Sequence, residues 1–118
     1  MTSHARAVAL VAIFVALATN APLQAQTQEV DALRARAEQG YAAALNNLGI
    51  MYAGGRGVPQ DDAQAVGWYR LAAEQGYAAA LNNLGVMYAE GRGVPQDDAE
   101  AVRWYRLAAE QGYAAALN

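Results

Sequence analysis

Residues 37–72 and 73–108 are the same sequence at 32 of 36 positions, differing only at Ile50/Val86, Gly54/Glu90, Gln64/Glu100 and Gly67/Arg103. A segment of 36 residues buries too little apolar surface to fold alone, so a chain that repeats itself this closely folds by stacking each unit on the next. Ala109 to Asn118 repeats Ala37 to Asn46 unchanged and opens a third copy. Ahead of the first copy, Val30 and Arg34 stand in register with Val66 and Arg70, although the tryptophan is missing there. The organisation expected is a degenerate leading helix at 26–36 and a repeat region at 37–118, with units 37–72, 73–108 and a partial unit 109–118.

Within a unit, Tyr41 to Ala53 sets Ala44, Leu48 and Tyr52 four residues apart, with Leu45 and Gly49 on the adjoining row. That spacing predicts a helix, here termed helix A. Gly54 to Gln60 ends it, because glycines supply positive φ and Pro59 neither continues a helix nor donates a backbone hydrogen bond. Helix B begins at Asp61, which suits an N-cap, with Gln64 (Glu100 in the next unit) where a capping box places it. It runs to about Gln75, with Ala65, Trp68, Ala72 and Ala73 on one face, and Gly76 stops it. The fold class expected is all-α: an α/α solenoid of antiparallel helix pairs with a 36-residue period.

Small residues at Ala44, Gly49, Ala65 and Ala72 let the two backbones approach, and Tyr52, Trp68 and Tyr69 fill the remaining volume. The equivalents one period on are Gly85, Tyr88 and Trp104, and Asp97 repeats the cap of Asp61. Mid-helix glycine costs about 1 kcal/mol relative to alanine, so Gly49 and Gly85 are expected to mark a close contact.

Residues 1–25 differ in composition from the rest. His4 and Arg6 precede an apolar run from Ala7 to Ala18, followed by Thr19, Asn20 and Pro22. The run is too short to span a bilayer, which takes about 20 residues, and the pattern predicts a cleavable export signal with the cut after Ala25. A periplasmic or secreted location and no lasting membrane anchor follow as expectations. Cysteine is absent, so packing alone must stabilise the exported chain.

The elements Leu48-Gly49, Tyr52, the loop Gly55-Arg56-Gly57-Val58-Pro59-Gln60-Asp61, Ala65, Trp68-Tyr69 and Ala72-Ala73-Glu74-Gln75-Gly76 resemble the Sel-one-like repeat, a relative of the tetratricopeptide repeat. They return from Leu84-Gly85 through Gly112. Tyr41, Tyr77 and Tyr113 depart from the pattern, since the family often carries a short polar helix cap there. Either the cap is weaker or the tyrosine adds contact area. The resemblance implies antiparallel helix pairs and an adaptor role, with a protein or peptide held on a curved surface lined by the A helices. On that surface Asn46, Asn47, Asn82 and Asn83 are the candidate partner-binding residues, together with Tyr41 and Tyr77; an amide side chain both donates to and accepts from a peptide backbone. Some exported relatives, rich in cysteine, are linked to β-lactam binding or hydrolysis, which leaves a cell-wall-directed hydrolase or binder as the alternative.

The residue inventory weighs against that alternative. After residue 25 there is no Ser, Cys, His or Lys, and Thr27 is the one Thr. Covalent acyl transfer wants an activated hydroxyl, thiol or amine, and a catalytic zinc wants imidazole or thiolate ligands. No catalytic residue, metal or cofactor is therefore expected. Asp61-Asp62 and Asp97-Asp98 recur directly before a helix and are read as caps. The glycine loop at Arg56 and Arg92 lacks the lysine and hydroxyl of a phosphate cradle, and each arginine is read as solvated or as a partner of Asp61. Acidic residues outnumber basic ones by 11 to 8, all the basic ones being arginine, so nucleic acid is not an expected partner. The sequence stops inside helix A of a third unit. Truncation of a longer repeat protein, left functionally idle, and end-to-end self-association through the open end are the readings of that feature.

Overall fold

The structure, a computed structural model, describes residues 27–112. The leader expected at 1–25, and Tyr113 with the rest of the third copy, lie outside the described residues. Five helices follow one another: α1 (27–38), α2 (Ala42–Gly54), α3 (Asp62–Glu74), α4 (Ala78–Glu90) and α5 (Asp98–Glu110). No strand occurs among the described residues. Helices α2 and α3 form one antiparallel pair and α4 and α5 the next, and α3 packs on α4 to join the pairs. The α/α solenoid expected from the 36-residue period is the fold observed.

The ends of the helices follow from local chemistry. Gly55 and Gly91 end α2 and α4 in the left-handed region at φ 66° and 65°, and their amides close on the carbonyls of Met51 and Met87. Asp61 and Asp97 cap α3 and α5 by accepting from the amides of Gln64 and Glu100, each at 3.1 Å. The capping box is only half formed. The amides of Asp61 and Asp97 donate to the carbonyls of Tyr52 and Tyr88, so the side chains at Gln64 and Glu100 have no amide to reach back to. Tyr41 and Tyr77 stand at the N-caps of α2 and α4 without a side-chain cap.

Between paired helices the packing is set by a glycine and a tyrosine. A β-carbon on Gly49 would lie 2.5 Å from the ring of Tyr69, and one on Gly85 would lie 2.7 Å from the ring of Tyr105. Each ring therefore rests directly on the backbone of the facing helix. Around this contact Ala44, Leu48, Ala65 and Ala72 are buried, as are Ala80, Leu84, Ala101 and Ala108. Trp68 and Trp104, expected in the core, are only half-buried along its edge, and their indole N–H groups are buried without an acceptor. The fully buried large side chains are Leu48 and Leu84.

Four glycine and aromatic substitutions test this packing. Gly49→Ala is expected to lose about 1–3 kcal/mol by overpacking against Tyr69, even though alanine favours the helix. Gly67→Ala, in mid-α3 with open space around it, is expected to gain about 1 kcal/mol. Trp68→Phe, which forfeits no hydrogen bond, is expected to cost less than Tyr69→Ala, for which a loss of about 3–5 kcal/mol is the usual scale. Urea unfolding followed by circular dichroism measures all of them, and a stabilised Gly49→Ala variant would contradict the close contact.

Candidate interaction surface and the seam between repeats

A partner's polar groups can be bonded only by polar groups that the stack itself has not used. The seam between pairs uses many. Arg34 of α1 donates to the Tyr52 hydroxyl of α2 at 2.6 Å, and Arg70 of α3 repeats the bond to Tyr88 of α4 at 2.8 Å. Gln75 at the end of α3 donates to the carbonyl of Gly40 at 2.7 Å. The glycine loop after α4 docks back on the first pair. There Arg92 grips the carboxylate of Asp62 through Nη2 at 2.9 Å and Nε at 3.3 Å, and Nη2 also donates to the carbonyl of Ala53 at 2.9 Å. A bidentate arginine fixes both distance and angle, so this contact sets how one loop seats on the preceding pair.

Two details of that loop went unread in the sequence. Each loop arginine was expected to be solvated or to pair with Asp61, but the Asp61 carboxylate caps α3, and the neighbouring Asp62 takes the Arg92 cation. Gly93 presses on the backbone at Asp62, where a side chain would collide with the Asp62 carbonyl. The Gly-Arg-Gly triplet at one period was the available signal, since glycine on both sides of an exposed-looking arginine marks a close approach.

The four candidate asparagines divide sharply. Asn46 is buried, 4% exposed, and its Oδ1 accepts from Nδ2 of Asn83 at 3.0 Å. This corrects the outward placement expected of Asn46: α4 crosses over it, and the amide joins successive A helices. Asn83 is half-buried and is spent on the same bond. Asn47, the equivalent of Asn83, is exposed, and Asn82, the equivalent of Asn46, is half-buried. Among the described residues neither makes a side-chain hydrogen bond, so they are the two unpaired halves of the Asn46–Asn83 contact, one at each end of the stack. Tyr41 is 55% exposed and Tyr77 is half-buried against the core.

Burial changes along the stack in the same way. Val66 on α3 is 5% exposed, whereas its equivalent Val102 on α5 is 49% exposed. Burial raises the phenol of Tyr69 above its ordinary 10.0; the nearby Arg92 opposes the shift and Asp62 adds to it. The hydrogen bond to Asp62 holds Arg92 in its charged form. No group of three or more His, Cys, Asp or Glu side chains suited to a metal occurs among the described residues, and none of their helices is long and apolar enough to cross a membrane.

The Sel1 repeat model matches residues 42–77 and 78–113, together more than half the chain. The chain belongs to the Sel1 repeat family. Its units as matched start five residues later than units counted from Ala37, with the same period. The Escherichia coli protein c5321, described as a protective antigen of uropathogenic strains with an SLR fold, is 59% identical with a TM-score of 0.73, over 74% of this chain and 19% of that one. A Sel1 repeat protein from Oxalobacter formigenes is 38% identical with a TM-score of 0.73, over 86% of this chain and 41% of that one. Cysteine-rich protein B of Helicobacter pylori shares the fold at 24% identity and a TM-score of 0.71, over 75% of this chain and 66% of that one. The chain thus spans about a fifth and two-fifths of the first two Sel1 proteins. No curated protein matches it. The Sel1 fold is commonly a protein-interaction scaffold and generally non-catalytic.

The Tyr69 shift has a sign that can be measured. A phenol held neutral in the folded chain contributes stability that is fully present below the unfolded value of about 10 and is lost as pH rises through the higher folded value. Unfolding midpoints recorded from pH 8 to 11 should fall at the alkaline end, and Tyr69→Phe should flatten that fall. An equally steep fall in the Tyr69→Phe variant would assign it elsewhere.

Proposed function

We propose that this chain is an exported repeat scaffold, without catalysis of its own, that holds a protein or peptide partner on the exposed edges of its A helices. The observation that carries this reading is that the amides of Asn47 and Asn82 make no side-chain hydrogen bond among the described residues and that the ring of Tyr41 is exposed. Polar side chains that satisfy each other in the middle of the stack are open at its ends, where a partner's backbone can take their place. Membership of a family of interaction scaffolds supports the reading. The lack of hydroxyl, thiol and imidazole nucleophiles after residue 25, apart from Thr27, supports the absence of catalysis. Export rests on the apolar run Ala7 to Ala18 and the small residue Ala25.

Two measurements test the proposal. Expressed in a Gram-negative bacterium, the chain should be recovered from the periplasmic or extracellular fraction beginning at Gln26; recovery in the cytosol with Met1 intact would refute export. Immobilised on a support, it should capture a protein from that fraction. A Tyr41→Ala/Asn82→Ala variant should lose capture while its circular dichroism stays unchanged, because neither side chain makes a hydrogen bond that holds the fold. Undiminished capture by that variant would remove the A-helix edges from the site.

A further inference from the structure

In the middle of the stack α2 lies in a seat made by α3 and α4. Three contacts define it: the Tyr69 ring on Gly49, the amide of Asn83 on Asn46, and the guanidinium of Arg92 on the carbonyl of Ala53. One period earlier the same seat recurs. Leu33 of α1 replaces Tyr69, and Asn47 and Arg56 replace Asn83 and Arg92. Among the described residues no helix fills this second seat. It is a groove of about 480 Å³, lined by Glu29, Ala32, Leu33 and Arg36 of α1. Opposite them stand Asn47, Ile50 and Met51 of α2, with Arg56 at one end. The spacings are helical on both walls, so the groove runs between two helix faces, the setting in which an amphipathic helix docks. Met87 is 2% exposed, whereas its equivalent Met51 is half-buried and Ile50 is 38% exposed. Arg56 is exposed and its guanidinium makes no hydrogen bond among the described residues.

The walls also differ from the interior seat in charge, and this selects the occupant. Glu29 and Arg36 stand where α3 has Ala65 and Ala72. Because Gly49 faces Tyr69 and Tyr52 receives the amide of Asp61, α2 runs antiparallel to α3 with Ala65 level with its last turn and Ala72 level with its first. Transferred by one period, Glu29 faces the last turn of a seated helix and Arg36 its first. Helices α2 and α4 carry no acid in the first turn and no base in the last, and the apolar run 7–18 carries no charge. None of these segments complements the groove. A helix with an acidic first turn and a basic last turn does, and that arrangement also suits its own dipole.

We propose that this groove docks one amphipathic α-helix of a partner protein. The helix lies antiparallel to α1, with an acidic first-turn residue on Arg36, a basic last-turn residue near Glu29, and its final carbonyls on Arg56, as the carbonyl of Ala53 sits on Arg92. Asn47 receives a polar side chain in the middle of that helix, as Asn83 meets Asn46. The inference rests on the scaffold reading and names the chemistry of its partner.

The test uses the full 118-residue chain and a fluorescein-labelled peptide copied from residues 41–55 with Leu45→Glu and Ala53→Arg. Saturable binding in fluorescence anisotropy is expected. Arg36→Glu, at an exposed position, should weaken it about tenfold. The double variant Glu29→Arg/Arg36→Glu should bind a peptide with Leu45→Arg and Ala53→Glu in preference to the first. A photo-crosslinking residue at position 50 should label the peptide. Equal binding of both peptides to the unaltered chain, no binding of either, or crosslinking from position 50 to residues 1–26 of the same chain would each overturn the proposal. If it fails while Tyr41→Ala/Asn82→Ala still abolishes capture, the scaffold reading survives and this groove is not the site; if capture is indifferent to Tyr41 and Asn82 while the peptide binds, the scaffold holds its partner in this groove and not on the A-helix edges at Tyr41 and Asn82.

Discussion

The ring of a tyrosine lying on the backbone of a glycine is the contact on which the rest of this molecule depends. Tyr69 against Gly49 and Tyr105 against Gly85 bring the two helices of each pair together closely enough for the alanines beside them to be fully buried. A helix face of alanine and glycine has little apolar area of its own, and it becomes a core only when the helices approach to that distance. The mid-helix glycine weakens helix A locally, and the aromatic area it admits offsets that cost.

Stacking one pair on the next is a different kind of interaction. Within a pair the contact is mostly apolar, whereas between pairs polar bonds carry the registration: arginine to tyrosine hydroxyl, asparagine to asparagine, and Arg92 to Asp62 with the carbonyl of Ala53. Directional bonds fix the angle between units in a way that a smooth apolar face does not. Among the described residues three equivalents of these groups, Asn47, Arg56 and Asn82, make no side-chain hydrogen bond. Asn47 and Arg56 stand at one end, and Asn82 with the exposed Val102 at the other.

Near-identity of the repeats does not make the ends equivalent. The segment before the first unit replaces Trp68, Tyr69, Ala65 and Ala72 with Ala32, Leu33, Glu29 and Arg36. Those four changes put Glu29, Ala32, Leu33 and Arg36 on the wall of the groove beside α1, while the bond from Arg34 to Tyr52 joins α1 to α2. Degeneracy in the leading helix is therefore a change of surface chemistry on a retained scaffold.

The period, the helix ends, the glycine-limited packing and the absence of Ser, Cys, His and Lys after residue 25 were all legible in the residues alone. Each depends on neighbours within a turn or two, or on composition: a left-handed glycine stops a helix, an aspartate caps one, and apolar residues four apart share a face. The three-dimensional structure alone decided that Asn46 is buried while its sequence neighbour Asn47 is exposed, that Asp62 rather than Asp61 receives Arg92, and that Tyr69 lies deeper than Trp68. Those outcomes turn on partners about 20 to 40 residues away along the chain, and adjacent positions on a helix point about 100° apart, so only the crossing of one helix over another determines which is covered.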